Sequence, residues 1–112
     1  MQKPTRFRLL DIQSAGREAL EIVQRIDAGH VDARWLTLAL ERLMITIGEA
    51  VGQLPPAVLE REPAVPWSRV TGMRHVLVHD YDGVDPDRVL QAVRLHLPQT
   101  LDAINRLLAE EP

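Results

Sequence analysis

No cysteine occurs among the 112 residues of this chain, which excludes a disulfide scaffold, thiolate metal sites and a thiol nucleophile together. Lysine is almost missing as well: Lys3 is the only one among 13 basic residues, the rest being arginine. Aromatic residues are limited to Phe7, Trp35, Trp67 and Tyr81, so any core must be built from aliphatic side chains. No uninterrupted apolar run approaches the ~20 residues that span a bilayer. The start, Met1-Gln2-Lys3-Pro4, lacks the apolar region of a secretion signal. A soluble protein of the cytoplasm is therefore expected, with no membrane contact. An excess of positive charge is missing too, the formal net charge being -3. Affinity for a polyanion comes mainly from neutralised phosphates, so nucleic acid could be held only in a local basic cleft, or in one completed by a second subunit.

What is present is helical periodicity. With 46% hydrophobic residues and a length suited to one core, a single domain over residues 1–112 is expected. Ile12, Ala15, Ala19, Ile22 and Ile26 recur at three and four, which predicts a first helix from about Thr5 to Asp27, ended by Gly29. Asp32 can cap a second helix with the stripe Leu36, Leu40, Leu43, Ile47, Ala50 and Leu54. Its other side carries Trp35, Leu38 and Ile45, which predicts a helix central to the bundle or packed on another chain. Pro55-Pro56 stops it.

Ala57 to Val65 reads as a loop or short turn, and Pro66 suits the first turn of a third helix reaching about His79. Asp80, Asp82, Gly83 and Asp85 form an acidic turn, and Asp85-Pro86 is a cap followed by a first-turn proline. The last helix carries Leu90, Val93, Leu97, Leu101, Ile104 and Leu108, with Pro98 expected to bend it or split it in two. The tail Glu110-Glu111-Pro112 is expected to fray. The class is all-α, an antiparallel bundle of four or five helices.

The chemistry gathers in Arg74-His75-Val76-Leu77-Val78-His79-Asp80-Tyr81. Imidazole suits proton transfer near neutrality, and guanidinium presents a rigid fork of donors that matches a phosphate. Arg74 falls between Val70 and Leu77 on the apolar stripe. It must be paired or face a cleft, and Glu49 on the neighbouring helix is a suitable partner. His79 lies five residues on, about 140° around an ideal helix, so the two do not share a face. They converge only if the helix ends near His79, if Arg74 reaches around, or if a twofold partner supplies one of them.

His75 and His79, at i and i+4, do share a face at a spacing that suits zinc. A metalloprotease would carry glutamate where Val76 stands, and no further ligand is evident, so no metal or other cofactor is expected. Asp80, Asp82, Asp85 and Asp87 could hold a divalent cation weakly, but turn and cap chemistry accounts for them more simply. His30 and His96 are isolated and read as structural or surface residues.

The run Val65-Pro66-Trp67-Ser68-Arg69-Val70-Thr71-Gly72-Met73-Arg74, followed by Val76-Leu77-Val78-His79-Asp80-Tyr81, resembles the HepT-like family of the HEPN superfamily. So does Ile47-Gly48-Glu49-Ala50 on the preceding helix. Together with the helix lengths, the likeness covers nearly the whole chain. It implies a HEPN-like bundle that forms a homodimer with Arg and His near a cleft between protomers. It also implies a metal-independent ribonuclease, the toxin of a toxin–antitoxin pair, with RNA as substrate and tRNA the expected class. Its antitoxin would be a minimal nucleotidyltransferase that AMPylates the motif tyrosine.

Carried onto this chain, Arg74 would bind the scissile phosphate and His79 would act as general base or acid, both catalytic. Tyr81 would be the AMPylation site, and Glu49 and His75 would be supporting residues. The family commonly has Asn where this chain has His75, which leaves that residue's role open. A second class of function is a HEPN module that binds a nucleotidyltransferase, and nucleotide or RNA, without cleaving. The complete set Arg74, His79 and Tyr81 favours the enzyme; net acidity favours the binder.

Overall fold

Leucine, isoleucine and valine at three- and four-residue spacing wind this chain into helices. A computed structural model describes residues 3–29 and 33–111, with the backbone alone for Ala33 and Tyr81. The elements are α1 (Thr5–Asp27), α2 (Ala33–Gly52), α3 (Pro56–Leu59), α4 (Trp67–His79), a 3-10 turn (Tyr81–Gly83) and α5 (Pro86–Glu110). No strand occurs among the described residues, and the all-α bundle expected from the sequence is the fold.

The first helix spans Thr5 to Asp27, as its stripe predicts, and is closed by Gly29 in the left-handed region at φ 74°. A side chain there would be strained, and glycine is not. The expected cap at Asp32 and the reading of His30 lie outside the described residues. The second helix is central, packing on α1, α4 and α5. Leu40, Ile47 and Val51 of α2 meet Leu9 and Ile12 of α1 and Ile104 and Leu107 of α5 in a fully buried core. Each such side chain contributes roughly 1.5–3 kcal/mol by leaving water.

The fourth helix is different. Its apolar residues are spread around its circumference, and only Leu77 is buried in the core, with Val76 and Val78 exposed. It lies on α2 as an outer layer, positioned chiefly by its start. There the Trp67 indole Nε1 donates to the carbonyls of Leu59 and Glu62, both at 3.1 Å. Glu62 in turn accepts from Arg106 on α5 at 2.7 and 3.0 Å, and this hydrogen bond holds its carboxyl below the usual carboxylate range. The segment expected as a loop or short turn contains one helical turn, α3, opened by Pro56 at its first position.

Of the two effects expected of Pro98 on the last helix, bending or splitting, splitting is ruled out: Pro86–Glu110 is one continuous helix. Val93 and Leu97 on one side of the proline, and Leu101 and Ile104 on the other, are all buried, so packing carries the helix through the missing backbone bond. At the tail, Arg61 pairs with Glu110 at 3.2 Å and with Glu111 at 2.7 Å. The cap forms as expected, Asp85 accepting from the Asp87 backbone N–H at 3.0 Å.

Candidate active site

Helix α4 can lie so close to α2 because residue 48 has no side chain. A Cβ on Gly48 would overlap the Cβ of Arg74 and stand 3.1 Å from the Val70 carbonyl. Arg74 therefore crosses α2 directly over Gly48. Its guanidinium reaches the neighbouring residue, Nη2 lying 3.0 Å from Glu49 Oε2, which is the ion pair the sequence suggested. The pair leaves a donor over: Arg74 Nε is buried with no acceptor. Such a group typically costs about 1–3 kcal/mol and calls for an explanation.

Around Arg74 is a cleft of about 590 Å³ between the start of α1, the second half of α2 and α4. Four cations line it, Lys3, Arg8, Arg42 and Arg74, against two carboxylates, Asp11 and Glu49. Lys3 pairs with Asp11 and Arg74 with Glu49. The guanidinium groups of Arg8 and Arg42 have no hydrogen bond or ion pair among the described residues. A chain of net charge -3 thus carries a locally positive cleft, the feature a polyanion requires of an acidic protein. Sequence reasoning missed both arginines. Arg42 lies seven residues before Glu49 and so on the same face of α2, a signal that was available. Arg8 had none, since only the packing of α1 against α2 brings it there.

The other proposed catalytic group is elsewhere. His79 is exposed on the outer flank of α4, its ring 4.7 Å from that of His75 between centroids and tilted by 48°. The helix stays regular through His79, so within one chain Arg74 turns inward while His79 faces solvent. Among the described residues no third carboxylate or histidine groups with the two imidazoles. His96 is exposed on α5. Tyr81 opens the 3-10 turn directly after α4, between the exposed Asp80 and Asp82.

Two further cavities lie along α2. One, of about 180 Å³, shares Arg42 and Ile45 with the Arg74 cleft and adds Leu38, Glu41 and Leu77. The other, of about 450 Å³, shares Leu38 and Glu41 with the first and is closed by Arg34, Asp82, Val84 and Pro86. Glu41, another residue the sequence reading did not single out, is only 8% exposed. Burial raises its carboxyl above the ordinary range. The charged form is thus penalised in the folded state, fully so above the raised pKa, and the penalty disappears as pH falls through it. Glu41→Gln is expected to melt at a higher temperature than the parent chain at pH 7, with the gap closing towards pH 4.5, the ordinary value. Melting curves of both proteins across that range check it; equal midpoints at pH 7 would show that the carboxylate is solvated after all.

Among the described residues no helix is long and apolar enough to cross a membrane. No solved structure matches the chain. A protein of Caldanaerobacter subterraneus subsp. tengcongensis named "Putative RNase TTE0752" is 34% identical over 76 residues, 68% of each chain. Two proteins of Methanocaldococcus jannaschii are also similar. "Putative RNase MJ0125" is 26% identical over 103 residues, 91% of this chain and 89% of its own. "Putative RNase MJ1380" is 28% identical over 92 residues, 81% and 84% of the two chains. The family model described as Ribonuclease HepT-like matches residues 12–107, a span that includes both the Gly48-Glu49 block and the Arg74–Tyr81 run. On that match, the chain belongs to the HepT-like ribonuclease family.

Proposed function

We propose that this chain is one helical domain, active as a homodimer in the cytoplasm, and that it is a metal-independent endoribonuclease toxin directed at RNA, tRNA first. The observation that carries the reading is the Arg74 cleft: a positively lined groove in an acidic chain, with a buried guanidinium donor that lacks an acceptor. A phosphodiester supplies acceptors of the right charge. In the reaction His79 removes the proton of the 2′-hydroxyl, whose oxygen attacks the adjacent phosphorus. The P–O5′ bond breaks, a 2′,3′-cyclic phosphate remains, and the leaving 5′-oxygen takes a proton from the imidazolium or from water. Arg74, with Arg8 and Arg42 beside it, stabilises the charge that develops on the phosphoryl oxygens, and Glu49 holds Arg74 in place.

Because Arg74 and His79 diverge on one helix, the reading requires a twofold partner to bring a second His79 to each cleft. The exposed Val76 and Val78 on α4 are apolar surface that such a partner would cover. Tyr81, in the turn that follows His79, is the residue a minimal nucleotidyltransferase antitoxin would AMPylate, adding bulk and negative charge beside the RNA path.

The test is incubation of unmodified protein with total tRNA in EDTA beside a His79→Ala control. Cleavage that depends on His79 and leaves cyclic phosphate ends is the expected result. No cleavage above the control, with Tyr81 unmodified by mass, would favour the non-cleaving module that binds a nucleotidyltransferase.

A further inference from the structure

Glu41 has no part in the reaction above, yet it is the one charged side chain buried among the described residues. Its carboxylate has no hydrogen bond or ion pair from any of them. It opens onto a cavity of about 450 Å³, within the roughly 300–1,000 Å³ of small-ligand sites. Arg34 and Leu38 lie on the same side of α2, and Asp82, Val84 and Pro86 close the cavity from the turn after α4. Its side chain is largely buried, yet its oxygens face the cavity with no donor from the described residues. All its lone pairs are open to a ligand that brings N–H groups.

A smaller pocket lies between this cavity and the Arg74 cleft, sharing Leu38 and Glu41 with the first and Arg42 and Ile45 with the second. Eight residues of α2 separate Glu41 from Glu49, about 12 Å at 1.5 Å per residue. A nucleotide flanking a phosphate held at Arg74 reaches that far. An ionised carboxylate accepts only, and its two oxygens match two parallel donors. Guanine offers such a pair, N1–H and the 2-amino group. Adenine and cytosine present one amino group beside an acceptor nitrogen, and uracil presents one N–H between two carbonyls, so each would set an acceptor against an oxygen of Glu41.

We infer that the Glu41 cavity receives a guanine base of the bound RNA, N1–H and the 2-amino group donating to the two carboxylate oxygens. The inference rests on the ribonuclease reading of the Arg74 cleft and makes Glu41 a specificity-determining residue of that site. Arg34 and Arg42 then lie beside the phosphates on either side of the bound nucleoside.

Two measurements test it and keep it distinct from the cleavage reading. In the first, RNA of mixed sequence is cut and the ends are sequenced. The parent chain enriches guanosine at one fixed position, and Glu41→Gln lowers that enrichment roughly tenfold or more, the range of a lost bidentate contact. Replacing the preferred guanosine by inosine, which lacks the 2-amino group, slows the parent chain and leaves Glu41→Gln little changed. In the second, guanosine 5′-monophosphate and inosine 5′-monophosphate are titrated calorimetrically into both proteins without any RNA. The parent binds the guanosine nucleotide more tightly by a similar factor, and Glu41→Gln does not. Cutting without base preference, a preference that Glu41→Gln retains, or equal binding of the two nucleotides each overturns the inference. If no RNA is cut, the ribonuclease reading falls while the titration still decides the pocket. The thermal midpoint of Glu41→Gln shows that the variant is folded.

Discussion

Arg74→Ala and His79→Ala are each expected to cut RNA ~10²–10⁴-fold more slowly than the parent chain, and an equimolar mixture of the two is expected to recover about a quarter of its rate. The single losses follow from the roles proposed for the two groups. A lost general base or acid removes that factor directly, and the loss of a preorganised donor to the phosphoryl oxygens is of similar size. The recovery follows from the geometry of α4. Arg74 turns inward to Glu49 at 3.0 Å while His79 stands on the solvent side of a helix that stays regular to its end.

If each cleft takes Arg74 from one protomer and His79 from the other, a mixed dimer has one complete site and one with neither group. Random exchange makes about half of the dimers mixed, and each has half its sites intact. Rates measured on the mixture after subunit exchange, against each variant alone, check this. A mixture no faster than its components would place both groups of a site in one chain. Arg74→Lys belongs in the same series. It keeps the charge and loses the fork that spans Glu49 and a phosphate, so it is expected to fall nearer to Arg74→Ala than to the parent.

The sequence was most legible where one kind of signal was undiluted. The limits of α1 follow from a clean stripe and a terminal glycine, and the cap at Asp85 from an Asp-Pro pair; both are local chemistry. Pro98 shows the limit of local rules. It does not split the helix, because buried neighbours on both sides hold the two halves together, which the sequence cannot weigh. Arg74, His79 and Tyr81 could be put forward because a short motif carries them, whereas their mutual placement could not, since a helical angle says only that they diverge. Glu41 was invisible for a different reason. A glutamate between Leu40 and Arg42 reads as the wet side of an amphipathic helix, and only tertiary packing leaves it 8% exposed, facing a cavity shared with Asp82, Val84 and Pro86. Arg8 likewise became part of the site only through tertiary packing.

Gly48→Ala is expected to damage stability and activity together, although it touches neither ligand nor substrate. The added methyl would overlap the Arg74 Cβ and press on the Val70 carbonyl at 3.1 Å. One of these neighbours is backbone and the other is the root of a side chain, so neither can swing aside. The helix must retreat instead. Overpacking of this kind costs roughly 1–3 kcal/mol, occasionally more, which lowers the melting midpoint by several degrees in a domain of this size. Because Leu77 is the one buried side chain of α4 and Trp67, Val70 and Met73 are only half-buried against the core, displacement is easier than compression, and the helix moves with Arg74 on it. A misplacement near 1 Å can cost about 10²-fold in rate, so cleavage should fall by that order even at temperatures where the variant is fully folded.

Gly72→Ala is the matched control, a glycine of the same helix whose added Cβ would meet nothing within 4 Å. It should gain roughly 0.5–1 kcal/mol from helix propensity and keep its rate. Midpoints and single-turnover rates of the two variants, measured side by side, separate the effect of helix approach from that of losing a glycine. If Gly48→Ala kept the parent rate while folded, the close crossing at Gly48 would be a packing feature alone, and Arg74 would owe its position to Glu49.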